Sequence, residues 1–263
     1  MKTTKLRWVI VSLVAIATVI NYIDRGALAV MWPAISDDLG LTKDDYAIII
    51  NVFILAYAFG QSLFGKIMDW IGTRLGFVLA IGVWSLATIL HAVANSLLTF
   101  SIFRGLLGVS EAGNWPGATK ANAEWFPIRE RALAQGIFNS GAAIGGIISA
   151  PIVGLFFIWF GSWQATFIVI GALGFLWLVP WLVIYKSGPK THPWLDEAER
   201  EYILTGQRNT ETHQAAEYAP TSREILSRKQ SWGVIMASFF LDPITRSIPW
   251  SRMGATTFGS SSG

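Results

Sequence analysis

The 263 residues are 52% hydrophobic and only 14% charged, with 13 tryptophans, 25 glycines and a mean hydropathy of +0.46. A soluble domain usually carries about 25% charged residues, so the composition excludes an ordinary soluble fold and fits membrane spans, with Trp at interfaces and Gly at helix contacts. No cysteine means no disulfide framework or thiolate metal site, and the net charge of +3 does not mark nucleic-acid binding, because the basic residues flank apolar runs instead of forming one patch.

The first apolar run begins at Trp8 and continues to Met31, long enough for a membrane span. Lys2, Lys5 and Arg7 precede it, which argues for a cytoplasmic N-terminus. The run is too long for a signal peptide and lacks a small-residue cleavage site. Within it stands Asn21-Tyr22-Ile23-Asp24-Arg25. An ionised side chain near a bilayer centre costs roughly 2.5–3.5 kcal/mol even on lenient insertion scales, and it normally faces a partner or a water-filled cavity. Asp24 and Arg25 therefore predict a compensating pair elsewhere in the chain.

The acidic stretch 36–45 reads as an outer loop, and the second span runs over 47–66. A tight turn at 65–76, with Gly65, Asp69, Gly72 and Arg74, sends the chain into a third span over 77–94. The fourth span, Leu98 to Ala118, supplies the compensating pair: Arg104 and Glu111 lie seven residues apart, so two helical turns place them on one face. Pro116 is expected to interrupt this span near its inner half. An inner loop at 124–131 leads to a Gly-rich fifth span over 132–157, and a sixth follows over 165–185. The domain expectation is a six-helix bundle at 1–186 and a polar cytoplasmic connector at 187–230, carrying a short exposed helix at 196–201. The start of a seventh span at 231–243 and a non-native or disordered tail at 244–263 complete it.

Two acids and two bases in an apolar bundle make a neutral ionisable cluster. Tyr22 adjoins the acid–base pair; Tyr57 and Gln61 share a face of the second span; Asn114 and Trp115 lie one turn beyond Glu111; Asn139 and Ser140 open the Gly-rich segment. Each could hydrogen-bond or stack on a ligand, or simply bridge helices. The alternative for the four ionisable residues is that they are salt bridges locking the bundle, but membrane spans rarely keep such residues without use, which favours a functional cluster. His91 reads as packing, and Gly141, Gly145 and Gly146 as sites of close helix approach. No metal-ligand cluster, nucleophile–base arrangement or nucleotide loop appears in the sequence, so neither an enzyme nor a bound cofactor is expected.

The turn Gly65…Asp69…Gly72…Arg74 resembles the signature between the second and third spans of the major facilitator superfamily. Asn21-Tyr22-Ile23-Asp24-Arg25, Arg104…Glu111-Ala112, Asn114-Trp115-Pro116 and Trp125-Phe126-Pro127 resemble the anion:cation symporters, with most similarity to bacterial hexuronate transporters. The chain departs from the pattern at Trp70 and Thr73, where the superfamily usually carries more basic residues, which weakens the expected gating contacts. Asp24 matches galactonate carriers better than some hexuronate carriers, whereas Ala142 stands where galactonate carriers place Gln.

The fold class implied is an all-α polytopic membrane protein, the N-terminal six-helix half of a twelve-helix major facilitator fold plus an incomplete seventh span. The resemblance further implies a proton-coupled symporter importing hexuronates such as glucuronate or galacturonate by alternating access, monomeric at full length and resident in the bacterial inner membrane. Its alternatives are a galactonate or other organic-anion:proton symporter and, from a different class, a non-transporting membrane receptor or assembly subunit. In this reading Arg25 and Arg104 attract the sugar-acid carboxylate, with Tyr22, Tyr57, Gln61, Asn114, Trp115 and Asn139 around it. Asp24 and Glu111 carry the proton, because burial and nearby Arg make a carboxyl's proton affinity depend on conformation. Gly65, Asp69, Gly72 and Arg74 serve gating.

Overall fold

The computed structural model describes residues 5–211, 224, 227–233 and 236, and the chain divides into two units, 1–211 and 212–263. Of the second unit, residues 229–233 are helical. Every regular element among the first unit's described residues is a helix: α1 (Leu6–Leu39), α2 (Lys43–Leu90), a 3₁₀ turn (His91–Val93), α3 (Leu97–Glu111), α4 (Asn114–Trp125), α5 (Ile128–Phe160), α6 (Trp163–Ile184) and α7 (Glu197–Glu211). The expected seventh-span start lies mostly outside the described residues, and the tail entirely so.

The six traverses do not correspond one to one with six helices. The second and third spans form one hydrogen-bonded stretch, α2, broken only at Gly72, whose φ of 81° and ψ of 165° suit a residue without a Cβ. The two arms fold back there: Phe64, Met68 and Ala80 pack together, and a Cβ on Gly76 would collide with the Met68 side chain. The acidic loop expected at 36–45 shrinks to three residues. Gly40 caps α1 in the left-handed conformation, and Thr42 with Asp45 forms a capping box at the start of α2.

The fourth traverse is broken, but not at Pro116. The interruption falls at Ala112–Gly113, because proline lacks the N–H that would bond to the Ala112 carbonyl one turn earlier. The first bond of the restarted helix runs from Gly117 N–H to the Gly113 carbonyl at 3.1 Å.

Two contacts set the bundle. A side chain at Gly141 or Gly145 would strike the α1 backbone at Ala15 or Val19, so small residues let α5 lie directly against α1. Gly146, read in the same way from sequence, makes no such approach. At the end nearest the N-terminus, Phe77, Trp177, Trp181 and Tyr185 stack in series, with the Trp177 indole donating to the Leu13 carbonyl and Trp181 to that of Arg74.

The connector helix is neither short nor wholly exposed. Ile203 and the Glu199 carboxylate are fully buried on the end of the bundle. Glu199 accepts from Arg7 Nη1 at 2.6 Å and from the Leu6 N–H at 3.3 Å, while Arg7 Nε donates to Glu130 at 3.0 Å. Gln207 donates to the carbonyls of Ala123 and Glu124. Upstream of α7, His192 donates from Nε2 to the Ile184 carbonyl and accepts at Nδ1 from the Trp194 N–H; burial pushes its imidazole below the usual range. Replacing Glu199 with Ala leaves Arg7 and the start of α1 short of an acceptor. A loss of about 1–3 kcal/mol is expected, read as a lower melting temperature and faster proteolysis between α6 and α7.

Candidate functional site

The site is built where α1 passes the broken fourth traverse in the opposite direction. Thr18, Asn21 and Arg25 occupy one stripe of α1, with Asp24 turned from it toward Thr88, and Arg104, Glu111 and Asn114 occupy the facing stripe in matching register. The Asn114 amide donates to Thr18 Oγ1 at 3.0 Å, Arg25 Nε donates to Glu111 Oε2 at 2.7 Å, and Arg104 Nη2 donates to the Arg25 carbonyl at 3.3 Å. Asp24, Arg104, Glu111 and Asn114 are buried, whereas the Arg25 side chain keeps 24% exposure. Arg25 is thus the charged member that reaches the accessible side of the cluster.

Aromatic rings enclose that side. The Arg25 guanidinium lies 4.5 Å from the Tyr57 ring centroid, 5.3 Å from Tyr22 and 5.6 Å from Phe53; the Arg104 guanidinium lies 4.9 Å from Phe53. Such cation–ring contacts hold a guanidinium in a water-poor site while leaving its N–H edges available. Phe53, which escaped the sequence reading because a Phe in a membrane span is unremarkable, is the ring shared by both arginines.

The bonding is incomplete in a way that bears on chemistry. Arg104 Nε and Nη1, Arg25 Nη2, Glu111 Oε1, both Asp24 oxygens and both Asn21 side-chain atoms are buried without a protein partner. The Thr88 hydroxyl lies alongside Asp24 without reaching hydrogen-bond geometry. Nearly all buried polar groups in folded proteins are paired. The two arginines therefore carry buried donors with no protein acceptor, and a planar carboxylate is the kind of acceptor that a guanidinium fork meets bidentately.

The other expected residues are distributed more widely. Tyr22, Tyr57 and Asn114 join the cluster. Gln61 and Trp115 instead line a groove of about 510 Å³ with Gly65, Met68, Asp69 and Lys120, nearer the N-terminal end. Trp115 packs edge-on against Phe138 at 4.9 Å. Asn139 and Ser140 are exposed on α5; Asn139 accepts from Gln135 one turn away, and Ser140 bonds to its own helix.

The turn residues also find partners. Asp69 pairs with Lys120 at 2.8 Å, Gly72 supplies the break, and Arg74 donates to the Leu182 carbonyl at 3.0 Å. Thr73, whose departure from the resembled pattern suggested weaker contacts, donates to Glu124 Oε1 at 2.7 Å, and the Tyr185 hydroxyl donates to the other oxygen of that carboxylate. Glu124 and Lys120 were missed in the sequence because nothing in a charged loop edge distinguishes a partner from a solvated residue. Among the described residues no group of His, Cys, Asp and Glu is placed to hold a metal.

Residues 14–259 match the Major Facilitator Superfamily. The chain is 37% identical to the galacturonate transporter of Dickeya chrysanthemi, over 92% of this chain and 69% of that protein. It is 35% identical to the hexuronate transporter of Escherichia coli strain K12, over 92% of this chain but only 55% of that protein. Among solved structures, a bacterial homolog of the human lysosomal transporter Spinster, inward-facing and unoccupied, superposes with a TM-score of 0.63 at 20% identity, covering 74% of this chain and 46% of that one.

Proposed function

The chain belongs to the Major Facilitator Superfamily, and we propose that the protein it represents imports hexuronates such as glucuronate or galacturonate together with protons, by alternating access. The observation that carries the reading is the pair of arginines: Arg104 is buried with unpaired N–H groups, and Arg25 is bound to Glu111 inside a frame of aromatic rings. A sugar acid offers both a carboxylate for the guanidinium edges and a ring of C–H and hydroxyl groups for Tyr22 and Tyr57. Glu111 then competes with the substrate carboxylate for Arg25. Protonating Glu111 releases the guanidinium to the sugar acid, and deprotonation takes it back, so proton and anion travel together.

Orientation follows from charge. Lys5, Arg7, Arg74, Lys120, Arg129 and Arg131 gather at the end that holds the N-terminus, and Asp37, Asp38, Asp44 and Asp45 at the other. The basic end is cytoplasmic by the positive-inside bias, in a bacterial inner membrane. Carriers of this kind hold substrate near the midplane, between two rocking halves. Gly65, Asp69, Gly72 and Arg74 form part of the inner gate, with the Asp69–Lys120 pair on its rim.

Proteoliposome uptake tests the reading. A full-length carrier containing these residues accumulates labelled glucuronate against its gradient when a pH difference is imposed; a receptor or assembly subunit binds it without accumulation. The 263-residue chain by itself is expected to give no proton-driven uptake, because it spans only 55% of the Escherichia coli relative and so supplies one wall of the path. Uptake by the chain alone would overturn the shared-cavity mechanism.

A further inference from the structure

Asp24 does not share the arrangement that holds Glu111. It is buried on the side of α1 that meets the second arm of α2, and its neighbours there are Thr88 and Arg104. One turn beyond Thr88 on α2 is His91, fully buried, at the start of the 3₁₀ turn that closes the end of the bundle opposite the N-terminus. The His91 ring is fixed by stacking on Phe167, 5.1 Å away and 13° from parallel, and by the edge of Phe100 at 4.9 Å. Its Nδ1 donates to the Ala87 carbonyl at 2.7 Å, which leaves Nε2 as a lone-pair acceptor with no protein partner. The Thr88 hydroxyl, both Asp24 oxygens, and Arg104 Nε and Nη1 are likewise buried and unpaired.

These atoms form a polar seam of α1, α2 and α3 side chains inside an apolar bundle. Buried polar atoms without protein partners are the usual hosts of internal water, which bridges two to four such groups. We infer that Asp24 exchanges its proton along this seam, through water held by Thr88 and His91, and not through the aromatic-lined side where Arg25 meets Glu111. The inference rests on the proton-coupled reading above. Water on the seam, held by the Thr88 hydroxyl and the His91 Nε2 lone pair, passes a proton to an Asp24 oxygen. An Asp24 O–H bond forms, the water's O–H bond breaks and is remade by the proton entering behind it, and the imidazole stays neutral with its Nδ1–H on the Ala87 carbonyl. Arg25, Arg104 and Glu111 are the charged groups that act on Asp24, and Arg104 the one that acts on His91. The seam separates the two cargoes, so a bound sugar acid does not block the proton's way in.

The test uses the full-length carrier in proteoliposomes, with two readouts: glucuronate counterflow, which needs no net proton movement, and accumulation driven by an imposed pH gradient. Thr88→Val removes the hydroxyl at nearly constant shape, and Thr88→Ser keeps it. The expected result is that Thr88→Val and His91→Phe retain counterflow within about twofold but lose tenfold or more of the gradient-driven uptake, while Thr88→Ser behaves as the unmodified protein. If the Val and Ser variants behave alike, at whatever level, or if His91→Phe accumulates normally, the seam is not the route. An unmodified carrier that shows counterflow but no proton-driven uptake rejects proton coupling itself, and the seam with it. Normal coupling in the unmodified protein with unaffected variants rejects the seam alone.

Discussion

Arg104→Ala is expected to weaken glucuronate binding by at least about thirtyfold, and by up to several thousandfold, with little change in the fold of the bundle. The range corresponds to about 2–5 kcal/mol for removing one partner of a buried charged contact. Arg104 has the geometry for such a loss: it is 2% exposed, its Nη2 is committed to the Arg25 carbonyl, and its Nε and Nη1 have no protein acceptor. A lysine at this position offers a point charge without the fork, so Arg104→Lys is expected to recover only part of the affinity. Alanine also leaves a hole beside Phe53, and Arg104→Met separates packing from binding: it fills the space and should hold the melting temperature while losing affinity to the same degree. Calorimetry on the detergent-solubilised full-length carrier reads all three. Undiminished affinity in the Met variant would return Arg104 to the role of a helix bridge.

The charged cluster was legible in the sequence because a bilayer leaves charged side chains few options. Asp24 and Arg25 in one apolar run demanded partners, and Arg104 and Glu111 were the only comparable pair in another; the structure joins Arg25 to Glu111 and Arg104 by hydrogen bonds and buries Asp24 without a hydrogen-bond partner. Polar but uncharged residues carry no such demand. Gln61 and Asn139 could bridge helices or face a cavity with equal ease, so their distance from the arginines could not be read. The docking of α7 was hidden for a related reason. Glu199 sits in a run of charges that looks solvated, and its burial depends on Arg7, 192 residues away in the chain. The break in the fourth traverse was marked by Pro116 but displaced from it, since a proline disturbs the carbonyl four residues earlier and not its own position. Thr73 shows the limit of a motif: a position judged by its missing charge still anchors the turn, through a hydroxyl on Glu124.

Glu111→Gln is expected to divide transport into its two parts, preserving exchange and abolishing accumulation. The carboxylate is fully buried, Oε2 accepts from Arg25 Nε at 2.7 Å, and Oε1 has no protein partner. A glutamine keeps the length and an acceptor oxygen, so Arg25 stays positioned. It cannot take up a proton or return as a competing anion. Arg25 then remains available to the sugar acid in every conformation, and counterflow should persist within about threefold, a barrier change under about 1 kcal/mol. Accumulation has a different origin. Each coupled proton entering down a one-unit pH gradient contributes about 1.4 kcal/mol, enough for about tenfold concentration of substrate. Without a group that must be protonated for the anion to bind, that contribution disappears, and the internal concentration should level off at the external one at any imposed gradient. Glu111→Ala differs instructively, because it also strips Arg25 of its acceptor, and exchange should fall along with accumulation. If Glu111→Gln accumulates glucuronate normally, the coupling proton is carried elsewhere, and Asp24 becomes the one acid of the cluster left to carry it.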